Sequence, residues 1–379
     1  MDFTLDQRHQ ALVKLYREFS LKEVKPLAKE IDETQEFPYS TLSKMKDMNM
    51  LGINIPKEYG GSGADTLAYI LAVEELSKVC GTTGVILSAH TSLACDPLLQ
   101  YGTSEQREKY LKPLAQGEKL GAFGLTEPNA GTDAGSQQSI AVEKEDHFLL
   151  NGTKIFITNA GAADIFIIFA LTSPELKTRG ISCFILEKDM EGFTIGKPEE
   201  KLGIRASSTC ELIFENVKIP KENLLGKVGG GFKIAMHTLD GGRIGIAAQA
   251  LGIAEGAIEE TIAYIKSRKQ FGKPISAYQN TQFKIAELQT KVEAAKLLVY
   301  RAALAKDTQR NYSIEAAMAK LFASKVAMET TVECLQLFGG YGYTKDYPIE
   351  RMMRDAKITE IYEGTSEVQK MVIGGSLLR

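Results

Sequence analysis

The segment ITEIYEGTSEVQ, at residues 358–369, places three carboxylates close together in the chain, on Glu360, Glu363 and Glu367. A carboxylate can act as a general base when burial raises its pKa toward the working pH. Glu363 lies in the predicted turn between two helices, where a side chain can point across a cleft. Gly364 follows it, and a residue without Cβ lets the backbone come close to a bound ligand. Of the three glutamates, only Glu363 is therefore predicted to lie where its side chain could reach a bound ligand.

The other two glutamates fit a helix boundary with solvated side chains, which is the commoner interpretation of such a segment. Ser366 and Gln369 have capping-box spacing, so a helix is predicted to restart near Glu367, where the positive end of its dipole favours a carboxylate. Glu360 closes the preceding charged helix, and solvent is its expected neighbour. Neither residue is predicted to take part in proton transfer.

The composition of the 379-residue chain is typical of a soluble globular protein. Its length suits two or three domains, because single hydrophobic cores stop growing near roughly 250–300 residues. With 44% hydrophobic residues, 25% charged residues and a net charge of −3, it can bury a large core and has no basic surface suited to nucleic acid. No apolar run approaches the roughly 20 residues of a membrane span, and the start has no signal- or transit-peptide pattern. A cytoplasmic protein that binds neither nucleic acid nor membrane is expected.

The cysteines, histidines and glycine-rich stretches argue against several site types. The five cysteines lie far apart and make no CxxC pair, so buried free thiols are expected; they are Cys80, Cys95, Cys183, Cys210 and Cys334. Four scattered histidines form no ligand pair, and no metal is predicted. The glycine-rich stretches at 226–232 and 338–346 match neither the G-x-G-x-x-G nor the P-loop pattern, and no G-x-S-x-G occurs. A Rossmann or P-loop unit and a standard hydrolase are disfavoured.

The sequence divides into three segments with different patterns, and these segments position the candidate residues. Together they predict an α+β multidomain chain. Helical periodicity over residues 1–120 predicts an N-terminal domain of four to six helices. Short β-branched and aromatic runs over residues 121–228 predict a middle β domain, and their wide spacing favours an antiparallel sandwich or barrel. Helices return over residues 229–379 and predict a C-terminal four-helix bundle.

Local patterns give three more specific expectations. Asn151-Gly152 between two strand-like runs predicts a hairpin, because a type I′ turn needs positive φ at both central residues. A second long C-terminal helix is predicted to begin near Ser313 and to run past Met328. An apolar seam with steps of three and four residues is predicted to face the bundle; it comprises Ile285, Leu288, Val292, Ala295, Val299 and Ala302.

Six motifs, taken in order along the chain, resemble the signature set of the flavin-dependent acyl-CoA dehydrogenases. They are FGLTEPNAGTD at 123–133, KIFITN at 154–159, LDGGRIGIAAQALG at 239–252, SRKQFGKPI at 267–275, QLFGGYGY at 336–343 and IYEGTSEVQ at 361–369. The match is collinear and covers essentially the whole chain. Within the family, the stretches ILSAHTSL and KLGAFGLTEPNAGTD are similar to the bacterial short-chain, butyryl-CoA-type enzymes.

The resemblance implies an FAD enzyme that takes a proton from the α-carbon and a hydride from the β-carbon of a short-chain acyl-CoA. The product is a trans-2-enoyl-CoA, and the reverse reduction is equally implied. Glu363 is then the base, and its backbone N–H helps to stabilise the thioester oxygen. Electron-transferring flavoprotein is the implied redox partner, and a homotetramer built as a dimer of dimers is the implied assembly.

The resemblance also implies a set of binding residues. Those expected to hold FAD are Phe123, Leu125, Thr126, Gly131, Thr132, Phe156, Ile157, Thr158, Arg268, Phe271, Gln279, Gln336, Gly339, Gly340, Thr365 and Glu367. Those expected to contact the acyl-CoA are Thr132, Asp240, Arg243, Tyr362 and Gly364. The residues from 268 to 279 and from 336 to 340 are expected to grip the pyrophosphate and adenosine partly across a subunit boundary.

Two positions depart from patterns found elsewhere in the family. Phe156 stands where many relatives have Trp, which keeps an aromatic face and removes an indole N–H. Gly242 stands where some branched- or long-chain relatives carry the base, so Glu363 has no rival on that helix.

Three alternatives remain open from the sequence. An acyl-CoA oxidase would pass its electrons to dioxygen, although such chains usually carry an extra C-terminal domain. A non-catalytic scaffold of the same fold would act as a partner-binding module. A flavin monooxygenase sharing the fold is the third alternative, and the presence of Glu363 argues against both of the last two.

Overall fold

The computed structural model describes residues 4–309 and 311–378, and its N-terminal region is helical. The helices are α1 (Gln7–Phe19), α2 (Ala28–Thr34), α3 (Tyr39–Asp47), α4 (Thr66–Ser77), α5 (Gly81–Ser88), α6 (Asp96–Tyr101), α7 (Ser104–Gln106) and α8 (Lys112–Ala115). Short 3-10 and π turns join α1 to α2, α5 to α6 and α7 to α8, so the described residues form five continuous helical rods here. The prediction of four to six helices is confirmed. Helices α4 and α5 are buried along their whole length.

The middle region forms one eight-stranded sheet. Its strands are β1 (Gly121–Gly124), β2 (Ile140–Glu143), β3 (His147–Ile157), β4 (Ile165–Leu171), β5 (Ile181–Glu187), β6 (Phe193–Pro198), β7 (Cys210–Pro220) and β8 (Leu224–Leu225). The strand order is β6-β7-β3-β2-β4-β5-β8, with β1 paired alongside β4. Most pairings are antiparallel, as predicted, but β1 and β2 both run parallel to β4.

The sheet curls, so that strands far apart in its order pack face to face. Phe166 of β4 meets Phe193 of β6, with ring centroids 4.9 Å apart, although three strands separate them in the sheet. Strand β4 is buried on both faces. Phe166 and Ile168 point into the core of the sheet, whereas Ile165 and Ile167 pack against helices from both ends of the chain. A strand covered on both sides is a continuous apolar run, which is the pattern of IFIIFAL.

The predicted hairpin at Asn151-Gly152 is wrong. Strand β3 runs through both residues and pairs with β2 on one side and with β7 on the other. The pairing with β7 changes register between Leu150 and Gly152, which marks a β-bulge. Gly152 has φ 144°, and a Cβ there would lie 2.3 Å from Ser139 Oγ. The β-bulge requires glycine at this position. A type I′ turn also favours glycine, so the sequence pattern is the same in both cases.

The C-terminal region returns to helices, which pack around one apolar core. They are α9 (Gly231–Ser267), α10 (Gln279–Thr308), α11 (Ser313–Phe338), α12 (Ile349–Ile358) and α13 (Ser366–Leu377), and a small hairpin of β9 (Lys269–Gln270) and β10 (Lys273–Pro274) follows α9. With 37 residues, α9 is about 55 Å long and forms the central element. It approaches α4 so closely that a Cβ on Gly252 would lie 2.2 Å from the Glu74 carbonyl oxygen.

The expectations for the bundle are confirmed. The predicted seam on α10 is buried except at Ile285, which is partly buried, and α11 begins at Ser313 and runs past Met328. All five cysteines are buried free thiols, also as predicted. Among residues 4–309 and 311–378, no helix is both long and apolar enough to cross a bilayer, and no three His, Cys, Asp or Glu side chains cluster as a metal site would require.

Candidate active site

The turn between α12 and α13 has an unusual backbone conformation. Glu363 has φ 51° and Gly364 has φ 91°, both in the left-handed region. Only glycine enters this region freely, so Glu363 holds a conformation that its surroundings must enforce. Helix α13 begins at Ser366, but its N-cap is Thr365, whose hydroxyl accepts a hydrogen bond from the Val368 N–H. The predicted capping box of Ser366 and Gln369 is therefore wrong by one residue.

The Glu363 carboxyl group lies inside the protein, against α9. Its Oε2 atom is buried and has no hydrogen-bond partner among the residues that the structure describes. A Cβ built on Gly242 would lie 2.0 Å from this oxygen. Burial raises the pKa of Glu363 to about 8, although the positive charges of Lys320 and Arg243 oppose the shift. Glu363 as a whole residue is half-buried, but this oxygen of its carboxyl group is enclosed, unpaired and of raised basicity.

The other two glutamates of the segment differ from Glu363, although Glu360 lies beyond the end of α12 and is half-buried rather than surrounded by solvent. Glu360 forms an ion pair with Lys357 at 2.7 Å, in the turn that follows α12. Glu367 is exposed at the start of α13 and lies 3.7 Å from Lys370. Backbone and hydroxyl donors at the helix start lower the pKa of Glu367, which favours its ionised form.

Side chains from other elements hold the turn. Lys320 of α11 donates a hydrogen bond to the Gly364 carbonyl oxygen at 2.6 Å. Gln369 of α13 donates to the same oxygen at 2.9 Å and to the Glu363 carbonyl oxygen at 3.3 Å. The Tyr362 hydroxyl donates to the side chain of Gln249 on α9. Three helices therefore fix the backbone on both sides of the carboxyl group.

Asp240 and Arg243 lie on the same helix as Gly242. The guanidinium of Arg243 is buried and donates to Asp240 Oδ1 at 2.5 Å. Asp240 also accepts a hydrogen bond from the Ser313 hydroxyl at the start of α11. Arg243 Nε is buried and unpaired among the described residues. Of the five predicted substrate residues, Arg243 thus lies near enough for its charge to act on Glu363, and Asp240 is paired with Arg243.

Further unpaired polar atoms surround this pair. Buried atoms without partners in the described part of the chain are His237 Nδ1, Thr238 Oγ1, Asp96 Oδ2 and Tyr312 OH. The His237 ring lies 6.0 Å from the Tyr312 ring, measured between centroids. Buried polar atoms normally have partners, so a cluster without them fits a wall that a polar ligand covers. The sequence did not single out any of these four residues.

The loop after β1 carries Thr126, Gly131 and Thr132. Gly131 and Thr132 are exposed, and Thr126 is half-buried. Beneath the loop, the fully buried Lys154 donates to Glu127 Oε1 at 2.6 Å. The Glu127 carboxylate in turn accepts hydrogen bonds from backbone N–H groups at the far end of the loop, including that of Ser139 at 3.1 Å. We call these four interacting parts, Lys154, Glu127 and the amides of Gln138 and Ser139, the loop clamp.

The predicted flavin residues on the strands fall into two classes. The side chains of Phe123, Leu125 and Ile157 pack into the hydrophobic clusters on either side of the sheet, which leaves mainly their backbone groups to a ligand. Phe156, by contrast, has φ 58° and a side chain that is 60% exposed. Thr158 is half-buried beside it. An exposed aromatic face at a strained backbone position is suited to stacking against a planar ligand.

These residues and the turn of Glu363 meet the same helix, α5. Asn159 is buried after β3 and donates a hydrogen bond to the Ile86 carbonyl oxygen at 3.2 Å. Tyr362 packs in a small apolar cluster with Val85 and with Ile246 of α9. The end of β3 and the turn of Glu363 therefore flank one region.

The remaining predicted flavin residues form a separate group. Arg268 follows the last residue of α9, about 39 Å along the helix from Gly242. Its guanidinium lies 5.3 Å from the ring centroid of Tyr341. Phe271 is 95% exposed in the β9–β10 turn. The other members of this group are also exposed; they are Gln279, Gln336, Gly339 and Gly340.

Sequence reasoning missed several residues that shape the site. Lys320 is one, and its signal is a lysine within an otherwise apolar helix face, in EAAMAKLFASK. Lys154 is another, in a strand that alternates between buried and exposed side chains. A buried lysine needs a partner, so a lysine in an apolar stretch is the signal that predicts one at each of these positions.

Family models and known proteins match nearly the whole chain. Three models match in chain order: the acyl-CoA dehydrogenase N-terminal domain over residues 6–118, the middle domain over 122–217 and the C-terminal domain over 229–378. A short-chain specific acyl-CoA dehydrogenase of Clostridium acetobutylicum is 61% identical over 379 residues, which is 100% of both chains.

Solved structures agree with these matches. The butyryl-CoA dehydrogenase of Megasphaera elsdenii is 52% identical, with a TM-score of 0.98 and 100% of both chains covered. A chain solved in work on the electron-transferring flavoprotein of Acidaminococcus fermentans, towards a mechanism of flavin-based electron bifurcation, is 55% identical with a TM-score of 0.99, again covering both chains fully. An acyl-CoA dehydrogenase of Bacillus anthracis complexed with FAD is 35% identical, has a TM-score of 0.93 and covers 99% of this chain and 68% of its own.

Proposed function

Since this chain belongs to the acyl-CoA dehydrogenase family, we propose that it interconverts short-chain acyl-CoA and 2-enoyl-CoA, with butyryl-CoA and crotonyl-CoA as the substrate pair. The observation that carries the assignment is the Glu363 carboxyl group, whose Oε2 is buried and unpaired among the described residues and whose pKa is raised. A scaffold protein has no need of such a group, since an unpaired buried carboxyl destabilises a fold. The short-chain preference rests on the identity to short-chain and butyryl-CoA enzymes.

Glu363 is proposed to accept the α-proton. Its ionised form is the reactive one, and burial makes that form more basic than an exposed carboxylate. The Glu363 backbone N–H has no acceptor among the described residues, so it is available to a thioester oxygen. Gly242 leaves room for the carboxylate beside the substrate, and Tyr362 and Gly364 flank it. Arg243, Asp240 and Thr132 are proposed to contact the acyl-CoA.

The cofactor is FAD, which when bound would supply the flavin ring as acceptor for the hydride from the β-carbon. The residues present fit such a group. Phe156 offers an exposed aromatic face, and the loop after β1 offers the hydroxyls of Thr126 and Thr132 above the loop clamp. Exposed Thr132 and buried Arg243 lie on different elements. This arrangement suits a flavin bound on one side and an acyl-CoA thioester on the other. Phe123, Leu125, Gly131, Ile157, Thr158, Thr365 and Glu367 are proposed to complete the flavin site.

The separate group around Arg268 is proposed to hold the pyrophosphate and adenosine of a flavin in a second copy of the chain. About 39 Å of helix separates Arg268 from Gly242, which is longer than one dinucleotide can span. The exposed Phe271 and the open surface at Gly339 and Gly340 suit contact with another subunit. A dimer is then the smallest complete unit, and we propose a homotetramer built as a dimer of dimers.

Electron-transferring flavoprotein is the proposed redox partner, as the similarity to the Acidaminococcus chain supports. The five buried free thiols suit a reducing compartment, and we propose a cytoplasmic location. We also propose domain limits of 1–120, 121–228 and 229–379, close to where β1 and α9 begin. Limited proteolysis with mass analysis of the fragments would test these limits.

The function is tested with the purified, FAD-loaded protein under anaerobic conditions. Butyryl-CoA is expected to bleach the flavin absorbance and to yield crotonyl-CoA, faster than hexanoyl-CoA or octanoyl-CoA does. Admitting air after reduction distinguishes an oxidase, since rapid reoxidation with peroxide would contradict the dehydrogenase. A fastest rate with octanoyl-CoA would overturn the short-chain preference alone.

A further inference from the structure

The catalytic turn needs an external constraint. Glu363 sits at φ 51°, which a residue with a side chain adopts only where neighbouring contacts enforce it. Helix α12 ends before the turn and α13 starts after it, so no helical hydrogen-bond pattern supports Glu363 itself. The two carbonyl groups that follow its Cα, on Glu363 and Gly364, are held instead by Gln369 and Lys320.

Lys320 differs from Gln369 because it also brings a charge. Its side chain is fully buried on α11, and its ammonium group makes a 2.6 Å hydrogen bond to the Gly364 carbonyl oxygen. No carboxylate in the described residues forms an ion pair with it within 4.0 Å. A buried ammonium without a carboxylate partner costs stability, so a function has to account for it.

Few other charged or titratable groups face Glu363. Arg243 of α9 adds a second positive charge, but it is already paired with Asp240. Tyr362 of the turn and Tyr69 of α4 are neutral neighbours, and the Glu363 charge further raises the pKa of each, which burial raises first. Glu360 and Glu367 act on Lys320 more weakly than Glu363 does. Lys320 is therefore the cation without a carboxylate partner whose charge acts most strongly on Glu363.

We propose that Lys320 is a positioning residue that orients the Glu363 carboxylate through the Gly364 carbonyl and stabilises its ionised form by its charge. This inference rests on the proposed function of Glu363 as base. Through the hydrogen bond, Lys320 keeps the left-handed turn from relaxing. Through its charge, it counteracts the desolvation that burial imposes on Glu363.

Two opposed effects then set the proton affinity of the base. Burial alone would raise the pKa of Glu363 further, and Lys320 limits the rise, so that the value is about 8. Burial also lowers the pKa of Lys320 to about 8, since the same dry environment disfavours its charge. Below about pH 8 the lysine is protonated, so near neutral pH its positive charge favours the ionised form of Glu363.

The test compares Lys320→Met with Lys325→Met in the FAD-loaded protein. Lys325 lies on the same helix but is exposed, so its variant controls for the substitution. The readout is kcat/KM for butyryl-CoA between about pH 6 and about pH 10. Lys320→Met is expected to shift the rising limb up by about one pH unit, because the charge is lost, which lowers kcat/KM about tenfold near pH 7. The plateau at high pH should also lie below that of the wild type, because the hydrogen bond to the Gly364 carbonyl oxygen is lost. Lys325→Met should follow the wild-type profile.

A loss by the same factor at every pH would overturn the inference, because a purely structural role does not move the profile. Lys320→Gln keeps an N–H donor without the charge and serves if the Met variant does not fold; it should show the same shift. A second measurement does not need turnover. The infrared band of the Glu363 carboxylic acid, identified by its loss in Glu363→Gln, should persist to higher pH in the Lys320 variant. Turnover in Glu363→Gln would refute the base assignment, whereas an unshifted infrared titration would refute the role of Lys320.

Discussion

Gly242 and Glu363 share one small space: a Cβ on Gly242 would lie 2.0 Å from Glu363 Oε2 and 2.8 Å from Leu93 Cδ2. No side chain fits at position 242 while the carboxylate stays in place. The glycine on α9 and the glutamate in the turn are therefore two parts of one arrangement. The sequence shows only that position 242 has no side chain and that position 363 carries a carboxyl group.

Gly242→Ala is expected to displace the Glu363 carboxylate, because the added methyl group meets the functional oxygen rather than a flexible chain end. Turnover of butyryl-CoA should fall at least tenfold, while FAD content stays near that of the wild type. Gly241→Ala is the matched control, since its Cβ would approach the flexible end of the Lys306 side chain at 3.0 Å and the Tyr312 hydroxyl at 3.6 Å, and not the carboxylate. Equal activity in the two variants would argue against the arrangement.

Glu363→Gln should retain FAD and bind butyryl-CoA while losing turnover by a factor on the order of 10² to 10⁴, as removal of a general base does. The amide has nearly the shape of the carboxyl group, so the fold should be unaffected. Stopped-flow reduction of the flavin measures the chemical step directly. Near-normal reduction in this variant would mean that another group takes the proton.

The pH dependence of the wild-type enzyme follows from the raised pKa of Glu363. The folded pKa of about 8 means that the carboxyl is mostly protonated below that pH and cannot accept a proton. We expect kcat/KM to rise with pH and to level off above about pH 8, since this parameter reports the free enzyme. A profile that is flat from about pH 6 to about pH 9 would contradict the burial of the base.

The loop clamp predicts a change in cofactor retention. Glu127→Gln leaves the buried Lys154 without its carboxylate and weakens the support of the backbone N–H groups of Gln138 and Ser139. Breaking a buried pair costs about 3–5 kcal/mol, so both Tm and FAD affinity should fall. Glu143→Gln, which removes an exposed ion pair between β2 and Lys221 in the turn after β7, should cost less than about 1 kcal/mol.

Thermal unfolding and flavin content after gel filtration measure both effects of the clamp variant. If Glu127→Gln lowered Tm but kept FAD as tightly as the wild type does, the clamp would support the sheet and not the flavin loop.

Local patterns predicted most of the fold, since they are set by neighbours in the chain. The seam of α10 and the start of α11 at Ser313 follow from helical periodicity and are confirmed. The error at Asn151-Gly152 has the same origin. A bulge and a tight turn ask for the same residue type, and only the pairing of β3 with β7 distinguishes them. The parallel pairing of β1 with β4 depends on distant strands in the same way.

For the active site, the sequence by itself determined which glutamate lies between two helices and, through its motifs, which family the chain resembles. The tertiary structure decided the environment of that glutamate and therefore its proton affinity. Its raised pKa, its unpaired oxygen and its strained backbone depend on α9 and on Lys320 of α11, which approach it from distant parts of the chain. Desolvation and charge act through space, so only the assembled fold brings them to bear on Glu363.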